Sequence, residues 1–149
     1  RIGVGAIVIN KDNKIFVGKR KDHPDNNKWQ MPQGGVHDGE DIHVAMMREL
    51  LEETSIKSVK ILKEIEGWTE YELPNYLLGK IWRGKYRGQK QKWFILKFTG
   101  NDDEIDLQTK HPEFIEWKWI EPRILPKIIV DFKKDLYKKL LLKIKPFIN

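Results

Sequence analysis

The chain has no cysteine. That excludes disulfides, thiolate zinc sites and thiol nucleophiles, and it fits a reducing compartment such as the cytoplasm. No apolar run approaches the ~18–20 residues that a membrane span requires, so no membrane partner is expected. No signal peptide is recognisable in a sequence that begins at Arg1. Internal repeats and low-complexity linkers are also missing. The four histidines, His23, His37, His43 and His111, show no metal-ligand spacing and read as loop or surface residues. Against these absences, 149 residues suit one domain spanning 1–149. A hydrophobic share of 40%, with 6 Trp, 6 Phe and 4 Tyr, provides for a real core and argues against disorder.

The net charge of +6 is unevenly distributed. Residues 122–149 hold eight bases and two acids, while residues 34–56 hold six acids and one Arg. Residues 80–97 carry seven bases and no acid. Any one charge run reads most simply as a solvated face. An acidic block beside basic blocks is also what a protein needs to hold cations and a polyanion together.

Val4–Asn10 and Ile15–Lys19 read as a hairpin around the turn Lys11-Asp12-Asn13. Lys21–Lys28 reads as a polar loop with Pro24, Trp29–Met31 as an extended piece, and Gln33-Gly34-Gly35 as a flexible bend. The segment Asp41–Thr54 is expected to be a helix, capped within Asp38–Asp41 and apolar on so much of its surface that it packs against a sheet and another element. Strands are expected at Val59–Ile65, Trp68–Leu73, Leu77–Trp82, Trp93–Phe98 and Ile115–Ile120, the last half-buried through Ile115, Trp117 and Trp119. Arg83–Gly88 reads as a basic loop, Asn101–Asp106 as an acidic turn region and Pro122–Pro126 as a short helical turn or loop. A final helix, Val130–Ile144, aligns Phe132, Leu136, Leu140 and Ile144. The order predicts an α/β domain: a mixed sheet covered by helices.

Chemistry concentrates in GGVHDGEDIHVAMMRELLEETSI, residues 34–56. Glu49, Glu52 and Glu53 stand at i, i+3 and i+4, on neighbouring positions of one helical face, where they repel one another. A divalent cation would relieve that repulsion. Oxygen-only ligands point to Mg²⁺ or Mn²⁺ rather than zinc. The alternative is a solvated acidic face. Two features weigh against it: the apolar remainder of the helix, and the Gly-Gly pair before it, where backbone can approach phosphate.

The segment resembles the Nudix box, the signature of enzymes that hydrolyse nucleoside diphosphates linked to another group. Gly34, Glu40, Arg48, Glu49, Leu50, Glu52, Glu53 and Ile56 match its pattern. Ser55 stands where that family has the glycine that ends the helix, so a left-handed Ser55 is expected to cost about 1 kcal/mol. The resemblance extends over nearly the whole chain, through Trp29–Gly35, Gly88–Phe94, Pro112-Glu113-Phe114, Trp117, Trp119 and Val130–Lys133. These stretches are similar to the bacterial RNA 5′-pyrophosphohydrolases, a branch also described as dinucleoside polyphosphate hydrolases or invasion-associated proteins.

The resemblance implies the Nudix fold, a mixed β-sheet sandwiched between α-helices, and Mg²⁺ as cofactor, with Mn²⁺ able to substitute. Glu49, Glu52, Glu53 and Glu113 are the implied metal ligands. Glu40 is implied to pair with Arg48 and, with Gly34, to hold helix and loop in register. The general base stays open between Glu49 and Glu53. Among the basic residues, Lys90 and Lys92 share a strand face, and Arg1, Arg20 and Lys133 are further phosphate candidates near Gly34. Phe132 reads either as a core residue, through its spacing from Leu136, or by resemblance as a base-stacking wall opposite Arg20. Tyr71 is a weaker candidate for that wall. The implied substrates are 5′-triphosphate RNA or, alternatively, dinucleoside polyphosphates. A non-catalytic binding module is the remaining reading, and no obligate protein partner is expected.

Overall fold

The computed structural model describes residues 1–22 and 27–148. The expected loop position of His23 and the Pro24 turn lie outside the described residues. The first strand, β1 (Ile2–Ile9), is an apolar run buried from Gly3 onward. It turns into β2 (Ile15–Arg20), its antiparallel partner at Ile9 and Ile15. Beyond that point the two strands separate. The first half of β1 pairs instead with β3 (Gln33–Gly35), from Gly3↔Gly35 to Gly5↔Gln33. Gln33–Gly35 is therefore a strand and not a flexible bend. Its glycines serve close approach, as the site below makes plain.

The helix α1 (Ile42–Thr54) begins at Asp41, whose carboxylate accepts from the backbone N–H groups of His43 and Val44 at 2.8 and 3.2 Å. That satisfies two of the helix's orphan donors. The sheet continues through β4 (Val59–Glu64), β5 (Thr69–Glu72), β6 (Gly88–Phe98) and β7 (Phe114–Ile120). Strand order is β4-β6-β1-β2-β7, with β3 added to β1 and β5 to β6. The β1–β6 pair is parallel, from Ile2↔Lys90 to Ile9↔Lys97, and the other pairs are antiparallel. A short helical turn, α2 (Leu125–Ile128), leads to α3 (Lys134–Ile144), which is preceded by a 3₁₀ turn over Asp131–Lys133.

Period-2 alternation divides the core between the two faces of the sheet. Val4, Ala6 and Val8, with Phe94 and Leu96, meet Ala45, Met46 and Leu50 of α1. Ile7, Ile9, Trp93 and Ile95 meet Leu136, Tyr137, Leu140 and Ile144 of α3. The result is the expected mixed sheet sandwiched between helices.

Three further expectations need correction. Leu77–Trp82 forms no strand, because Pro74 and the left-handed Gly79 (φ +77°) turn the chain and a tight turn with left-handed backbone follows at Trp82–Gly84. The helix α1 buries one face only, leaving Val44 and Leu51 58% and 48% exposed. Ile115 is 52% exposed, because β7 is an edge strand and the aromatic layer of Phe16, Trp117 and Trp119 ends before it.

Ser55 ends α1 in the left-handed region at φ 64°, as its place in the box requires. Its hydroxyl donates to the Asp106 carbonyl at 2.8 Å. That bond offsets part of the backbone strain of a residue with a Cβ. Ser55→Gly is therefore expected to stay within ~0.5 kcal/mol of wild type, because relief of strain balances the lost bond and the added chain entropy. Ser55→Ala keeps the strain, loses the bond and should cost about 1 kcal/mol in denaturant titration. Equal stability of the two variants would contradict this account.

Candidate active site

On α1 the sheet-facing line Met46–Leu50 runs on, three residues later, to Glu53. That spacing puts a carboxylate where an apolar side chain would continue the core. Glu53 is 1% exposed, and neither of its oxygens meets a hydrogen-bond donor. Burial drives its pKa well above the usual range, reinforced by the nearby charges of Glu113 and Glu49. Arg20 opposes that rise more weakly, as does the nearby Gln33 backbone N–H, which stands outside hydrogen-bond geometry. Glu49 lies on the flank of the helix, and burial raises its pKa too, against the pull of Arg48. Glu52 is exposed. Glu113 enters just before β7, where its carbonyl accepts from Lys21 N–H at 3.0 Å.

Arg48 organises this face. Its Nε and Nη2 reach the two oxygens of Glu40 at 2.8 and 2.9 Å, and Nη2 also donates to the Gly35 carbonyl at 2.8 Å. Nη1 reaches Glu49 at 2.9 Å and Glu52 at 3.2 Å. The bidentate pair holds Glu40 well down, to about 2, and raises Arg48. Repulsion between Glu49 and Glu52 is thus relieved within the protein itself.

The paired glycines of β3 each admit one functional side chain. A Cβ on Gly34 would overlap the Glu49 carboxylate, and one on Gly35 would overlap the Arg1 guanidinium. Arg1 lies over the Trp82 ring at 4.7 Å. Arg20 pairs with Asp22 through two bonds of 2.7–2.8 Å and still acts electrostatically on Glu53. Lys133 is buried, with Nζ 4.9 Å from the Tyr71 ring and 5.7 Å from that of Phe132. Burial, with Arg20 and Arg1 nearby, lowers its pKa to about 7. Phe132 is half-buried against the α3-side core, in line with its spacing from Leu136, and its ring centroid is 5.8 Å from that of Tyr71. Tyr71 is itself buried, and its hydroxyl lies 3.3 Å from Gln89.

Lys90 and Lys92 share a face as expected, the one directed toward α1. Their ammonium groups lie over Trp68 at 5.2 and 5.6 Å, and Lys92 is further held by the Gly67 carbonyl at 3.0 Å and by Glu64 at 3.6 Å. The opposite face of the same strand carries a feature that sequence reasoning missed. Gln91 Nε2 donates to Gln89 at 2.6 Å and to Gln33 at 3.0 Å, and Trp93 Nε1 donates to Gln91 at 3.2 Å. The signal was present in the alternation: residues 89 and 91 fall in phase with buried Trp93.

The residues of this site fit a divalent cation. Glu53 is a desolvated carboxylate without a donor, and Glu49 and Glu113 are close enough to act on its charge. Among the described residues, no three acidic or histidine side chains converge into a ready-made metal cage. Residues 1–140 match the family described as NUDIX domain. The chain belongs to the Nudix family. Nudix hydrolases generally need a divalent metal, in keeping with this donor set.

Similarity to other Nudix proteins covers nearly the full chain. It is 58% identical over 149 residues to an RNA pyrophosphohydrolase of Pelagibacter ubique, covering 100% of this chain and 94% of that protein. It is 47% identical over 141 residues to an RNA pyrophosphohydrolase of Novosphingobium aromaticivorans, covering 93% and 88%. Two solved Nudix-like structures share the fold. The E. coli dihydroneopterin triphosphate pyrophosphohydrolase superposes with a TM-score of 0.71 at 19% identity, covering 95% of each chain. A C. elegans Ap4A hydrolase superposes with a TM-score of 0.70 at 24% identity, covering 98% and 96%. Among the described residues, no helix is long and apolar enough to cross a membrane.

The raised pKa of Glu53 has a defined sign for stability. The folded state keeps the proton that the unfolded chain releases near pH 4.5, so burial of Glu53 costs stability increasingly as pH rises above about 4.5 toward the folded pKa. In chelator, thermal melts of wild type should therefore fall across that window relative to Glu53→Gln. Parallel curves for the two proteins would refute the burial argument.

Proposed function

We propose that this chain is a divalent-metal-dependent pyrophosphohydrolase that removes pyrophosphate from the 5′-triphosphate end of RNA. The observation that carries the hydrolytic reading is Glu53, a buried carboxylate without a donor, set beside Glu49 and approached by Arg20 and Lys133, with Arg1 near Glu49 and Glu113. RNA as substrate is supported by the near-full-length similarity to relatives named RNA pyrophosphohydrolase. Work on RNA ends, as in mRNA decay, fits a cytoplasmic enzyme.

Phosphoanhydride hydrolysis requires neutralised phosphate oxygens, a positioned water and a proton acceptor. Glu49, Glu53 and Glu113, with Glu52 at the exposed rim, are the groups proposed to hold Mg²⁺, or Mn²⁺ in its place. The bound ion supplies charge neutralisation and a more acidic water. The chain's own residues divide the remaining work. Arg48 donates to Glu49 directly and so opposes the rise that burial gives its pKa. Glu53 has no such donor, and its carboxylate is the proposed acceptor of the water's proton. Arg1 and Arg20 present fixed positive charge to the phosphates. Lys133, lowered to about 7, contributes charge that strengthens when a polyanion approaches. Phe132 offers its half-buried ring to a base, opposite Arg20.

Purified protein should release pyrophosphate, or phosphate in two steps, from 5′-triphosphate RNA in Mg²⁺. Preferred cleavage of diadenosine tetraphosphate or pentaphosphate would favour a dinucleoside polyphosphate hydrolase instead, and nucleotide binding without turnover would leave a binding module. Glu53→Gln should lower turnover at least ~100-fold while retaining the fold, in line with the usual weight of general-base catalysis. A variant of near wild-type activity would remove Glu53 from the role.

A further inference from the structure

The segment joining β5 to β6 is not accounted for by the site above. Residues 73–87 carry Lys80, Arg83, Lys85 and Arg87 and no acid, interleaved with Tyr76, Trp82 and Tyr86. Trp82 packs against the α3-side core and meets Tyr86 edge-on, with ring centroids 6.3 Å apart at 72°. Its ring also carries the Arg1 guanidinium at 4.7 Å. Arg1 and Tyr86, together with Gly35 and Glu49, line one cavity of about 340 Å³. Tyr86 is 43% exposed there, in contrast to the buried Tyr71 beside Phe132. The backbone that presents it is unusual. Trp82 and Arg83 both occupy the left-handed region, at φ 53° and 58°, held by Gly84 N–H to the Ile81 carbonyl and Lys85 N–H to the Trp82 carbonyl. Side chains with a Cβ rarely adopt that conformation, and it persists where the surroundings over-determine it.

We propose that Tyr86 is a second nucleobase-stacking platform, reached from the Glu49 end of the cavity and separate from the Phe132–Tyr71 pair. The ligand class is a second nucleobase of a phosphorylated nucleotide chain, and the inference rests on the nucleotide-hydrolase reading above. An exposed aromatic ring among basic residues is the usual recipe for sequence-tolerant stacking on single strands. Trp82 acts as a positioning residue: it buttresses the Tyr86 ring edge-on and fixes Arg1 at the cavity wall for the intervening phosphates. Stacking depends on the ring and not on the phenol, so Tyr86→Phe should preserve it.

Calorimetry on the full chain tests this without requiring turnover. The probes are adenosine 5′-monophosphate, a 5′-phosphorylated RNA dinucleotide and diadenosine tetraphosphate, the last in Ca²⁺ with its integrity checked after titration. Wild type should bind at least one two-base probe ~10-fold more tightly than the mononucleotide, the usual scale for one stacked base. Tyr86→Ala should abolish that advantage and Tyr86→Phe should keep it. Loss confined to the RNA arm assigns the platform to a second ribonucleotide. Loss confined to the diadenosine arm assigns it to a second adenosine, and loss in both arms makes it a shared platform. An advantage retained in Tyr86→Ala, lost in Tyr86→Phe or absent from wild type would overturn the proposal. A wild-type protein that shows the Tyr86-dependent advantage but releases nothing from triphosphate RNA would instead overturn the RNA pyrophosphohydrolase reading alone.

Discussion

One guanidinium ties the site together. Arg48 has five N–H groups, and they are spread over four partners: Glu40 twice, then the Gly35 carbonyl, Glu49 and Glu52. Through Glu40 it fixes the segment that leads into α1. Through Gly35 it fixes β3, and through Glu49 and Glu52 the outer carboxylates of the helix. Lysine, a point charge with three donors, has no geometry for the same set. The contact that aligns β3 with α1 also lets Gly34 press against the Glu49 carboxylate, where only a residue without a Cβ fits. Register, glycine placement and carboxylate orientation are therefore one constraint seen from three sides.

Glu53 is the complement of that arrangement. Arg48 serves the carboxylates on the rim and leaves the innermost one without a donor. A buried carboxylate in that state favours its neutral form. The fold tolerates it because α1 is well anchored elsewhere, by the Asp41 cap, by Arg48 and by the packing of Ala45, Met46 and Leu50. Its burial without a donor sets Glu53 apart from core residues of similar burial and is what a site for a cation or a proton would present.

Much of this was legible in the sequence. The helix, its Asp41 cap, the Glu40–Arg48 pair, the left-handed Ser55 and the two-sided sheet all follow from local spacing or from the box. What was hidden depends on tertiary contact. The run Gln33-Gly34-Gly35 reads as a bend because glycines suit bends, yet here they suit a strand pressed between Glu49 and Arg1. The Gln33–Gln91–Gln89 chain spans two strands that are far apart in sequence, so no local window reveals it. Leu77–Trp82 looks strand-like by composition but lies between Pro74 and Gly84, and its chain reversals decide otherwise. Burial of Glu53 over Glu52 is likewise a matter of helix phase against the sheet: Met46, Leu50 and Glu53 share one line, and Glu52 falls outside it.

The distribution of charge acquires a direction from the topology. Parallel pairing of β1 with β6 sets Arg1, at the start of one strand, beside the start of the other, where the basic segment 80–97 enters the sheet. The same register brings β3, and with it Glu49, against the opposite edge of β1. Acidic and basic blocks separated by 23 residues in the chain thus meet across a single strand. Alternation along β6 then sorts its own side chains: Gln89 and Gln91 turn toward the buried polar cluster, whereas Lys90 and Lys92 turn toward Trp68. Positive charge is kept out of the buried glutamine cluster and retained around it. Neutral amides occupy the interior where an unpaired ammonium would be costly, and Lys133, one of two lysines buried among the described residues, shows that cost in its lowered proton affinity.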